Sequence, residues 1–521
     1  MTISVSQTNQ KSMAAQRVHI ELQRVQTWLF AVPRLRAMVG ANTMLGEMLR
    51  MKLPELARGG GNKWQLKPLT GSYPAADTTD PLQQHDDPSA DARDGILSRD
   101  GGHFEAQFEH GADEFARAAA ELLRRELPGL HFHIWIDDQE WSQSCVYLPN
   151  ELPVLAPCEW TGRGLASVVI SQGNEKAGVS LDVARRHEAA KRAEKHQAND
   201  LASLLEARTT LAQLQRPQDL EDLVGSGYLA LIYADGNGVG SSAGTTDEER
   251  ARFFHRNRVL LRRALIKAID DVCAGATGMA PLVLLMLGGD DLLVMCRAEK
   301  ALPFVVSLCE ELARIQREGN SGFELTLGVG VVIAQRKIPI HRLHDIAEQL
   351  ASSAKRRFRG LKDTGDNAQS VVDWAVYTTT WVDDPEEIRR RDWVCGTQGE
   401  RRVLSQRPVD VLGDGLHTLQ GLLKGAEKLQ NAPRSQLRYL VEQLPRGRAL
   451  AELAFAELSI QAREKLSQAG VMQVWQRSQN GGTWITPLLD LVEIAEIPRL
   501  GRRIDTQQSN QSEHLPITEK S

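Results

Sequence analysis

The chain has 521 residues, of which 42% are hydrophobic and 25% charged, with a formal net charge of -5. That composition fits a folded protein of two to four domains and argues against one that coats nucleic acid through its own positive charge. No apolar run approaches the roughly 18 residues of a membrane span, the start MTISVSQTNQKSMAAQ lacks a signal-peptide core, and six scattered cysteines suit thiols in a reducing cytoplasm better than a disulfide frame.

In chain order, residues 1–16 are polar and give no periodic signal. A strand is predicted at Val18–Leu22. A helical pattern follows through Trp28, Leu29, Met38 and Leu45, punctuated by Pro33 and Gly40. Residues 59–98 are rich in Gly, Pro, Asp and Thr and read as a low-order insertion. Gly101-Gly102-His103-Phe104 reads as a hairpin bend, followed by a helix around Phe115–Leu123 and a strand at Leu130–Ile136. Residues 17–150 therefore form a first unit in the order strand, helix, hairpin, helix, strand. Residues 151–220 read as a partly helical connector.

The same order returns over residues 221–405. A strand at YLALIY (Tyr228–Tyr233) leads to ADGNGVG, and a long helix follows. Two apolar runs, Leu282–Leu287 and Leu292–Met295, then flank Gly288-Gly289-Asp290-Asp291. A second helix, a strand at FELTLGVGVVIA and the helix from Ile340 complete the repeat. Residues 406–501 are helical in pattern, and the polar tail 502–521 is expected to be mobile. The fold class is α+β: two ferredoxin-like palm/cyclase domains, a connector and a helical C-terminal domain.

The chemistry centres on Asp290 and Asp291. Two carboxylates between apolar strands face either solvent or a cation. Asp235 ends the preceding strand and meets them if the strands are neighbours. Three such acids repel one another unless a divalent ion holds them, and hard oxygen ligands suit Mg2+ or Mn2+. The bland alternative is a solvated acidic turn. Gly236, Gly238, Gly288 and Gly289 would let backbone N–H groups approach phosphate, though they match no Walker or dinucleotide fingerprint. Asn237 reads as a nucleotide contact or an ordinary turn residue, and Lys355 as a triphosphate contact or a solvated basic helix end. His131, His133, His344 and Cys158 lack partners at metal-ligand spacing and read as structural.

These motifs resemble the large polymerase–cyclase subunit of type III CRISPR–Cas effector complexes. The resemblance rests on IYADGNGVG, LLMLGGDDLLVMC, LGVGVVIAQRKIPIHRLHDIAEQLASSAK and, more weakly, GGHFEAQF and CEWTGRGLAS. It implies that Asp235, Asp290 and Asp291 hold two ions, that Lys355 contacts the triphosphate, and that ATP becomes cyclic oligoadenylates in a complex with further subunits, guide RNA and target RNA. A cytoplasmic setting without membrane is implied. Three departures stand out. The chain begins at the first palm, without the HD nuclease domain of many members, so cleavage of single-stranded DNA is not expected. Asn237 replaces a common acidic residue, and a lone Cys158 gives no structural zinc. A catalytically weak scaffold of the same complex, or a stand-alone nucleotide cyclase or ATP-conjugating enzyme with another product, remain the alternatives.

Overall fold

A computed structural model describes residues 15–141, 156–172, 175–319, 325–363, 369–378, 384–397, 400–478 and 482–501. The expected loose N-terminus up to residue 14, Cys145, the expected mobile tail and the start of the strand read at FELT lie outside the described residues. The chain divides into two compact units. The first gathers residues up to 32, 39–201 and 243–256; the second gathers 33–38, 202–242 and everything from 257.

In the first unit, β1 (Gln16–Gln23) lies between the strands His103–His110 and His131–Ile136 of an antiparallel sheet. A short β2 (Ile96–Ser98) pairs with β3 (His103–His110), the helix α1 (Ala112–Glu126) follows, and β4 (His131–Ile136) closes the motif. Alternation decides which face is core: Val18, Ile20, Phe104, Ala106, Phe108 and Ile134 are buried. Phe115, Ala116, Ala119 and Leu123 of α1 are buried at helical spacing, with the Phe115 ring 4.6 Å from that of Phe108.

Residues 59–98 differ from the low-order expectation. They contain a two-residue strand at Gln65–Leu66, the helix Pro88–Arg93 and β2, and they bury Trp64, Leu82 and Ile96. Their order comes from local anchors, which periodicity does not reveal. The Asp87 side chain caps its helix, Asp77 and Asp80 close turns onto nearby N–H groups, and the Trp64 indole donates to the Ala57 carbonyl at 3.0 Å. The expected connector also divides differently, because residues 156–201 belong to the first unit. There the helix α2 (Leu181–Glu194) buries Arg186 over the Trp28 ring at 4.0 Å, where Arg186 donates to the Trp28 and Leu29 carbonyls.

The second unit is built on a six-stranded sheet of β5 (Tyr228–Gly236), β6 (Leu282–Gly288), β7 (Asp291–Arg297), β8 (Leu327–Gln335), β9 (Val371–Tyr377) and β10 (Val409–Asp410). The order is β6-β7-β5-β8-β9-β10, antiparallel except for the parallel pair β8–β9. Both parities of β5 and β8 are buried, so these strands read as continuous apolar runs rather than alternating ones. The helices α3 (Asp247–Cys273, of which 257–273 fall in this unit), α4 (Ala298–Gly319) and α5 (Ile340–Asp363) follow β5, β7 and β8 in turn. α5 packs through Leu343, Ile346, Ala347, Leu350, Ala351 and Ala354. It comes close because β8 offers glycine beneath it: a Cβ at Gly330 would lie 2.6 Å from the Ala351 nitrogen.

The outermost strand, β6, has an irregular register between Leu284 and Met286. There the Leu284 N–H donates to Glu206 Oε1 at 3.0 Å, while Glu206 Oε2 pairs with Arg216 at 2.9 Å.

The C-terminal part holds helices at Leu419–Lys428, Arg434–Gln443, Arg448–Ala456 and Ile460–Gln468, and α6 (Leu488–Gly501). It also holds a four-stranded sheet whose strands are two or three residues long, too short to leave a pattern. Arg407 joins this part to β9. Fully buried, it lies 4.5 Å from the Trp374 ring and 4.3 Å from the Trp393 ring, and it pairs with Asp490 at 2.9 Å and Glu493 at 2.8 Å. No described helix is long and apolar enough to cross a membrane.

Candidate functional site

The site lies where β5 and β7 meet in the second unit. The β5–β7 register ends with Leu292 paired to Ala234, and Asp291 and Asp235 are the next residues on the two strands. β6 and β7 close around a two-residue turn, Gly289-Asp290, with Gly288 paired to Asp291. Gly289 has φ +61, the positive first position that a tight hairpin of this kind requires. Sequence alone placed both aspartates in the turn. In the structure only Asp290 is there, and Asp291 is the first residue of β7.

Glycine brings the turn against β5. A Cβ on Gly236 would lie 2.7 Å from Asp290 Oδ2, so the Asp290 carboxylate rests on bare backbone. Asp235 is close enough for its charge to act on both Asp290 and Asp291. The acids oppose one another's ionisation. Loss of hydration, then the charge of Asp235, pushes the Asp290 carboxyl up to about 6. The same two causes, with the charge of Asp290 added, raise Asp291. Lys355 on α5 offsets part of this, its ammonium forming an ion pair with Asp235.

The remaining predicted residues divide. Asn237 is buried: its N–H donates to the Thr326 carbonyl at 2.8 Å and its Nδ2 to Thr326 Oγ1 at 3.1 Å. It pins the end of β5 to the start of β8, while its Oδ1 is buried without a hydrogen-bond partner. Gly238 is exposed with φ +66, where a side chain would be strained.

Other residues of the site had no clear signal in the sequence. Tyr233 precedes Asp235 by two positions on β5, and burial together with the charge of Asp291 raises its phenol. His344 on α5 meets Tyr233 edge-on, with ring centroids 5.8 Å apart. Glu348 is one turn beyond His344, and burial and then Asp345 and Asp235 raise its carboxyl. Tyr233 follows from the period of two along a strand, and His344 and Glu348 from tracing the face of α5 back from Lys355. Gly328, paired with Asp235 across β5–β8, is a fourth: a Cβ there would lie 2.6 Å from Lys355 Cγ.

Among the described residues no three His, Cys, Asp or Glu side chains stand as a formed ligand group. The donors nevertheless suit a hard divalent ion. Asp235, Asp290 and Asp291 are all oxygen donors, and the last two bear charge that burial and their neighbours disfavour.

Residues 228–364 match the family model described as Cas10/Cmr2, second palm domain. Among solved structures, the chain is similar to a Csm1–Csm4 cassette in complex with pppApApA, at 14% identity and a TM-score of 0.47, over 94% of this chain and 69% of that one. It is also similar to Csm1 in T. onnurineus, at 13% identity and a TM-score of 0.44, over 94% of this chain and 70% of that one. No curated protein matches the sequence.

Proposed function

We propose, for a chain whose residues 228–364 match the Cas10/Cmr2 second palm domain, that it converts ATP into cyclic oligoadenylates with release of pyrophosphate, as the large subunit of a type III CRISPR–Cas complex. The observation that carries this reading is the meeting of Asp235, Asp290 and Asp291 inside the matched domain. The strand order β6-β7-β5-β8, with its two intervening helices, supports a ferredoxin-like palm.

In the reaction a ribose hydroxyl attacks the α-phosphorus of a second nucleotide, the bond to pyrophosphate breaks, and the hydroxyl proton passes to solvent. Mg2+ or Mn2+ held by the three carboxylates would supply the positive charge that activates the hydroxyl and steadies the triphosphate. The chain supplies the rest. Asp290 and Asp291 are positioned by a turn too short to drift. Lys355 brings a cation for the triphosphate, and Gly238, Gly288 and Gly289 leave room for a phosphate to approach backbone N–H groups. Guide RNA, target RNA and the other subunits act as partners in this reading.

The test incubates the purified chain, alone and in its guide- and target-loaded complex, with each labelled nucleoside triphosphate and Mg2+ or Mn2+. Oligoadenylate product that disappears in Asp290→Ala/Asp291→Ala supports the reading. A complex that assembles fully and makes no product from any nucleotide overturns it in favour of a scaffold.

A further inference from the structure

Lys355 reaches Asp235 by a prepared route. Its ammonium pairs with Asp235 Oδ2, and the two side chains are 27% and 25% exposed. The lysine stem passes over Gly328, where any Cβ would lie 2.6 Å from Lys355 Cγ and 3.1 Å from Asn237 Oδ1. Gly328 is the β8 residue paired with Asp235. The missing side chain thus makes a slot for the lysine arm, bordered by an unpartnered acceptor on Asn237 and ending on the carboxylate of Asp235.

A carboxylate oxygen bound to an ammonium is a poorer ligand for a divalent ion. The same ammonium is a cation that a triphosphate can take. We infer that Lys355 is a positioning residue with two alternative partners: it holds Asp235 in the ion-free protein and gives it up to a divalent cation when a nucleoside triphosphate takes the ammonium. The inference rests on the proposed reading of Asp235, Asp290 and Asp291 as ion ligands. Its consequence is coupling. The ion binds weakly to the protein alone and more tightly with nucleotide, and the nucleotide gains equally from the ion.

The experiment measures Mn2+ binding to the purified full chain by the electron paramagnetic resonance of free Mn2+. It is done without nucleotide and with a non-hydrolysable α,β-methylene ATP analogue. Without nucleotide, Lys355→Met should bind Mn2+ about threefold to tenfold more tightly than wild type, and the analogue should strengthen that binding less than it does in wild type. Gly328→Ala, which displaces the arm and keeps its charge, should shift Mn2+ affinity in the same direction. Asp235→Asn should lose Mn2+ binding. If Asp235→Asn loses Mn2+ while Lys355→Met binds it no better than wild type, the ligand reading stands and the exchange is overturned. If no form binds Mn2+, or Asp235→Asn binds as wild type does, the ligand reading fails and the exchange with it.

Discussion

The α-carbon of Gly330 faces the carbonyl of Ala347 with no side chain between them, and an added methyl group would overlap that oxygen and lie 2.6 Å from the Ala351 nitrogen. Helix backbone cannot rotate aside as a side chain can. Gly330→Ala should therefore destabilise the second unit by about 1–3 kcal/mol, seen as a lower urea midpoint. Lifting α5 also draws Lys355 from Asp235, so Mn2+ binding without nucleotide should tighten as well, as for Gly328→Ala. An unchanged midpoint would mean that α5 packs more loosely on β8 than this close approach requires.

Asp290→Asn/Asp291→Asn should separate activity from stability. The two amides remove mutual repulsion that the folded chain bears without an ion. In chelator, the double variant should melt at or above the wild-type temperature, while the proposed oligoadenylate synthesis, assayed with Mg2+ or Mn2+, falls by at least about 100-fold. Calorimetry and a product assay on one preparation check both parts. A variant that melts well below wild type would show that the acids hold the hairpin together.

Arg407→Met should be costly. It leaves the buried Asp490 and the half-buried Glu493 without their cation, beside two tryptophan faces. A loss of about 3–5 kcal/mol is expected in chemical denaturation. Arg407→Lys should recover little, because an ammonium lacks the planar fork that spans both acids and stacks on the indoles.

His344 sets a pH dependence. Burial holds its imidazole down to about 4, below the ordinary value of about 6.5. Between those two values the unfolded chain takes up a proton that the folded chain refuses. This contribution is therefore intact above about pH 6.5 and lost as the pH falls toward 4. Glu348, 3.9 Å away, and Tyr233 face the ring. Over that window, wild type should lose stability faster than His344→Phe. Parallel curves would assign the acid sensitivity to other groups.

Much of the site was legible because its parts lie at strand ends. Apolar runs marked β5, β6 and β7, and carboxylates after them had few roles besides chemistry. Lys355 was named but its partner was not, since that pairing depends on Gly328 being bare and on the pitch of α5 over β8. Tyr233, His344 and Glu348 were hidden for a related reason: each becomes part of the site only once α5 lies over the β5 residues of one parity. The ordering of residues 59–98 escaped because a tryptophan anchor and aspartate caps leave no period to read.

Glu206 gives the outer rim of the sheet a further meaning. A terminal strand such as β6 presents unpaired N–H groups that any extended chain can adopt as a template. Here the Leu284 N–H is already given to a carboxylate that Arg216 holds in place. The acid thereby leaves that rim one N–H fewer with which to recruit an extended chain.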